Sequence, residues 1–170
     1  MAISYTFPVR HLVKAALLAA AGLTGTASLI GVPALATPGS GFAPAPLAVG
    51  SLPETLAKAD KAGHWDVTLK TKDVTTVGVD NLTVQPGGYS GWHTHTGLTV
   101  VTVTGGQINW VDAACQSKTY QVGDTFIEPA NSVHYVRNPY GNTATLVAVQ
   151  LRPLGTGGRI DAAAPAGCSV

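Results

Sequence analysis

The chain has 170 residues, with ten Lys and Arg against nine Asp and Glu, a formal net charge of +1, and charged residues making up only 11%. A balance this close to neutral argues against a nucleic-acid binder or a protein held electrostatically on an anionic membrane. Twenty glycines and eleven prolines, with Val and Thr crowding the second half, favour short strands and many turns over long helices.

Residues 1–36 read as a cleavable secretory signal. Arg10 and Lys14 make a basic start, an apolar run follows from Ala15 to Ile30, and Ala34-Leu35-Ala36 forms a small-residue cleavage pattern before Thr37-Pro38. Loss of this segment removes two basic residues and no acidic ones, so residues 37–170 carry a formal charge of −1. The expected location is extracellular, with no membrane attachment after cleavage. The segment 37–63 is expected to be an N-terminal arm ending in a short helix over 51–63. Ser51 is a candidate N-cap, Pro53 sits early enough for its missing N–H to do no harm, and Gly63 is a candidate stop.

From His64 to about 153 the pattern turns to short β segments. Strands are expected near 65–71, 74–85, 91–104, 106–111, 118–121, 125–128, 133–137 and 143–152. Pro86-Gly87-Gly88, Gly105-Gly106, Gly123-Asp124, Pro129-Ala130-Asn131 and 138–142 act as turn signals between them. Strands at this spacing imply an all-β sandwich or barrel. The tail 154–170 is rich in Gly and Ala and is expected to be irregular. Cys115 and Cys168 are the only cysteines, and in an oxidising compartment they are expected to pair, tying the tail to a mid-chain hairpin. In the chain-entropy picture a loop of that length contributes roughly 4 kcal/mol.

Three histidines carry the chemistry. His93 and His95 flank Thr94, and residues two apart on a strand share a face, so both imidazoles can reach one ion. His134 follows about forty residues later in another expected strand. Three imidazoles from two strands suit a divalent transition metal such as Fe, Mn, Cu, Ni or Zn, and they leave coordination positions open for water or substrate. Val101, Val103 and Thr99 share the parity of His95, and Val136 that of His134, so these four are expected to line a pocket beside the ion. Trp92 should point away from His93, and Trp110 is a further candidate for the pocket mouth.

These residues resemble the two motifs of the cupin superfamily. The first runs from Gly87 through His93-Thr94-His95 and Thr99 to Gly106; the second runs from Gly123 through Pro129-Ala130-Asn131 and His134 to Asn138. The resemblance implies a single double-stranded β-helix, a jelly-roll barrel, and metal ligation by His93, His95 and His134. It also implies a small-molecule ligand or substrate, and pairing of two copies as a homodimer in which the arm 42–50 adds a strand to its partner. There are two departures. Asn131 replaces a glycine, which is mild because Asn tolerates the left-handed conformation. Thr99 replaces the metal-binding glutamate, which implies a three-histidine site without an anion. Glu128, just before Pro129, has the wrong sequence position to replace that ligand. The implied function is a secreted metal-binding cupin, of the three-histidine dioxygenase type. The alternative is a non-catalytic module that binds a small molecule or the ion itself.

Overall fold

A computed structural model describes residues 36–53 and 55–168, so the expected signal lies outside the described residues apart from Ala36. Twelve strands follow in chain order: β1 (Ser40–Leu52), β2 (Leu56–Ala62), β3 (Trp65–Thr71), β4 (Thr75–Tyr89), β5 (His93–Thr94), β6 (Leu98–Gly105), β7 (Gln107–Asp112), β8 (Ser117–Gln121), β9 (Thr125–Glu128), β10 (His134–Arg137), β11 (Ala144–Pro153) and β12 (Ile160–Asp161). The described residues contain no helix, in keeping with the expected all-β class.

Two antiparallel layers make the barrel. The first runs β1–β4–β11–β6–β9 and the second β12–β5–β10–β7–β8, joined where Tyr89 of β4 meets Arg137 of β10. Alternation explains the core. Val84, Val101, Val103, Phe126, Leu146 and Ala148 point inward from the first layer, while Ile108 and Val136 meet them from the second. Burying such side chains contributes about 1.5–3 kcal/mol each. The residues on the opposite face of the second layer point outward but are covered. Trp92, Val111 and Tyr135 pack under Ala164 and Cys168 of the tail, as the expected outward direction of Trp92 requires.

Three sequence expectations need correcting. The helix expected over 51–63 is absent. Leu56–Ala62 is a strand paired from Leu56↔Thr71 to Ala62↔Trp65, closed by Gly63-His64 with Gly63 at φ 65°. Local propensity gave way here because 65–71 supplies a strongly β-forming partner and the two-residue turn contains a glycine able to take positive φ. Lys61 also faces Asp66 directly across the hairpin, whereas a helix would have had no apolar surface to pack on. The expected strand 91–104 is broken into β5 and β6 at His95-Thr96-Gly97. The tail is not wholly irregular: β12 pairs with β5, Ile160 opposite Thr94 and Asp161 opposite His93. The tail is tied as expected, since Cys115 and Cys168 form a disulfide with Cα atoms 5.4 Å apart.

Candidate metal centre

The second layer positions the histidines. Antiparallel pairing puts His93 of β5 directly opposite His134 of β10. His95 follows two residues after His93 on the same face, where the chain leaves β5, and its carbonyl accepts from the Asn131 N–H at 2.9 Å. That contact is possible because Asn131 takes φ 59°, the conformation expected of the glycine it replaces. All three rings are buried, and one ligand nitrogen from each lies within 4.8 Å of the others.

Each Nδ1 is already committed. His93 Nδ1 lies 3.0 Å from the Gly91 carbonyl, His95 Nδ1 2.6 Å from that of Gly158, and His134 Nδ1 2.9 Å from that of Ser132. A carbonyl only accepts, so each Nδ1 carries a proton and each ring turns its Nε2 inward. Burial, with the charge of His134 and Arg159, lowers the His93 pKa to about 3, which keeps that ring neutral.

Glu128, whose sequence position argues against its replacing the missing ligand, lies against the histidines. Its Oε2 lies 2.9 Å from His95 Nε2 and its Oε1 3.1 Å from His134 Nε2, and it is as buried as the histidines. The reason is register. Glu128 of β9 is paired directly with Thr99 of β6, the position at which the motif normally carries its glutamate. Residues opposite one another in a non-local pair have Cβ atoms only about 5 Å apart. A carboxylate moved across the ladder therefore reaches the same space. Burial alone would raise the Glu128 pKa, but the contacts with His134 and His95 outweigh it and hold the carboxyl well below the usual range. Trp110 completes the setting. Its indole N–H donates to Glu128 Oε1 at 3.1 Å and its ring stacks on His134, so it backs the ligands instead of lining a pocket mouth. The sequence signal for Glu128 was its shared inward parity with Phe126 on 125–128.

These residues fit a cation. The Nε2 atoms of His95 and His134 lie 2.9 Å and 3.1 Å from the buried Glu128 carboxylate. Acceptor against acceptor is repulsive unless a proton or a metal ion neutralises the group, and three imidazoles with one carboxylate are a donor set for Fe, Mn, Cu, Ni or Zn.

Beside the histidines lies a cavity of about 310 Å3. Thr99, Val101 and Val136 line it as expected. Val103 does not: it is one rung deeper, packed in the core with Ile108 and Leu146. Phe42, Pro44 and Pro46 of β1 form part of the wall, a contribution not expected of an arm.

The barrel and both motifs agree with the comparisons. Residues 81–150 match the model of the Cupin domain family, so this part of the chain is a cupin domain. No curated protein matches it. Among solved structures it is similar to a cupin-like protein from Thermotoga maritima, at 20% identity over 52% of this chain and 65% of that one, TM-score 0.47. It is likewise similar to a conserved protein with a double-stranded β-helix domain from Klebsiella pneumoniae, at 22% identity over 64% and 84%, TM-score 0.46. A sugar phosphate isomerase of the cupin superfamily from Silicibacter pomeroyi matches at 28% identity over 45% and 51%, TM-score 0.41. The chain thus spans less than two thirds of the Thermotoga and Silicibacter proteins.

Proposed function

We propose that this protein is an exported cupin holding one divalent transition-metal ion on His93, His95, His134 and Glu128. In this reading it acts as a metal-dependent enzyme of the oxygenase type on a small organic molecule in the adjoining cavity. The observation that carries the reading is the convergence of three imidazoles, each fixed by a backbone carbonyl at Nδ1, beside a buried carboxylate that touches two of them. A redox-active ion bound there would supply one-electron chemistry with O2, and zinc would supply Lewis acidity. The chain's own part is positional. The carbonyls of Gly91, Ser132 and Gly158 set the tautomers, Trp110 holds the carboxylate, and Val101, Phe126, Val136 and Leu146 keep water from the cavity wall. Export is supported by the leader-like residues 1–36 and by the disulfide. Pairing of two copies is supported by β1, which binds β4 along one edge and exposes Leu47 and Val49.

Capture without turnover is a second reading. It is favoured by the scarcity of acid–base groups: besides Glu128, Asp80 is the carboxylate that borders the cavity. Metal analysis by inductively coupled plasma mass spectrometry on untagged protein tests the metal. About one equivalent is expected, lost in the His93→Ala/His95→Ala variant. No metal in the unaltered protein, even after reconstitution, overturns the reading. Turnover abolished by His93→Ala supports the enzyme; stoichiometric ligand binding with no product favours capture.

A further inference from the structure

The inner face of the first layer reads as a ladder of rungs. Glu128, Thr99, Gln150 and Gly78 lie side by side across β9, β6, β11 and β4. The next rung inward is Phe126, Val101, Ala148 and Asp80, followed by Val103, Leu146 and Leu82. The cavity is therefore apolar on its deep side and becomes polar at the level of the metal ligands. One rung further out on β11 is Arg152, two residues beyond Gln150 on the same face and hence about 7 Å along the strand. Arg159, on the tail segment just before β12, borders the same cavity from the second layer.

The two guanidinium groups are differently engaged. Arg159 is balanced: its Nε donates to Asp161 Oδ1 at 2.7 Å and its Nη2 to the Ser90 carbonyl at 2.6 Å. Arg152 is not. Its Nη1 donates to the Thr156 carbonyl, its buried Nε–H has no acceptor, and among the described residues no carboxylate forms a salt bridge with it. Asp80, the remaining carboxylate on the wall, is engaged by Gln150 Nε2 at 3.5 Å. An arginine that borders a cavity without a counter-charge lacks an anion.

We infer that the cavity takes a small carboxylate with an apolar body, its carboxylate at Arg152 and Arg159 and its hydrocarbon part against Leu82, Val101, Phe126 and Leu146. This rests on the reading of the cavity as the ligand site and deepens it by naming the ligand class. The volume, about 310 Å3, is at the low end for small-molecule sites. The planar guanidinium matches a carboxylate through two parallel hydrogen bonds, which a neutral amide cannot reproduce.

Isothermal titration calorimetry tests this with acetate, hexanoate, phenylacetate and benzoate, each against its amide. Metal-loaded and chelator-stripped protein are both titrated, because a bound ion also attracts anions. Hexanoate or one of the aromatic acids is expected to bind at least about tenfold tighter than its amide, and tighter than acetate. Arg152→Gln/Arg159→Gln should lose about tenfold or more at unchanged metal content. Arg152→Lys should lose less, and Lys118→Gln on the outer strand β8 should lose nothing. An unchanged melting temperature shows that the arginine variants fold; if the double variant melts early, Arg152→Lys and the acid–amide comparison decide alone. Equal affinity for acid and amide, no loss in the double variant, or no binding across the acids overturns the inference. Metal-free protein that still prefers acids through Arg152 separates the two readings, since the acid site then stands whatever the metal analysis gives.

Discussion

Glu128 and Thr99 exchange roles across a pair of strands. A ladder fixes which residues are neighbours without regard to which strand carries them, so a carboxylate at Glu128 reaches the space that one at position 99 would fill. Glu128→Gln keeps the volume and one oxygen for the Trp110 N–H but removes the charge beside His95 and His134 Nε2. Metal affinity should fall about 10- to 100-fold, read by competition with a chromogenic chelator, with little change in folding. Unaltered affinity would mean that the three histidines hold the ion by themselves. The histidine positions were legible because a spacing of two on a strand is a local rule. Glu128 was not, because its place depends on the register of β9 against β6, which no local rule sets.

At the scale of elements, the tail is the part that links stability to the site. The disulfide holds it to the β7–β8 hairpin, while the Gly158 carbonyl fixes His95 and β12 pairs with β5 beside His93. Cys115→Ser/Cys168→Ser should lower unfolding free energy by about 2–5 kcal/mol in urea titrations. It should also weaken metal binding, because the His95 ring loses its anchored tautomer once the tail moves. Lower stability with metal affinity intact would show that the tail stays seated without its covalent tie. The pairing itself was readable from two cysteines in an exported chain, but the return of the tail across the metal ligands was not. Composition marks 154–168 only as Gly- and Ala-rich, and its order comes from β5 and Trp92, which give it something to pair with and cover. The misassigned hairpin 56–71 has the same origin. SLPETLAKADKAG is an acceptable helix in isolation, and it became a strand because a better partner followed it.

The whole molecule should be sensitive to acid. His93 titrates near 3 in the folded metal-free protein but near 6.5 when unfolded, so the unfolded chain binds more protons across that window and stability falls as pH drops through it. Glu128, held below its ordinary value, adds a loss of the same sign below about 4.5. The melting temperature of metal-free protein, followed by circular dichroism, should therefore fall steadily between pH 7 and pH 4. His93→Gln should flatten the upper part of that fall. A flat profile for the unaltered protein would show that His93 is not held neutral by burial. A bound ion should delay the fall, since protons then compete with it for the same nitrogens.

By itself the sequence determined the all-β class, most strand positions, the disulfide partners, the convergence of His93, His95 and His134, and the outward packing of Trp92. Each of these follows from periodicity two, from turn residues, or from spacing within one or two strands. Tertiary structure decided the rest: Glu128 beside Thr99, Trp110 behind His134, the arm as β1 in the cavity wall, Val103 in the core, and Arg152 without a counter-charge. Those are relations between strands far apart in sequence, and they are set only when the layers close and the register of each pair is fixed.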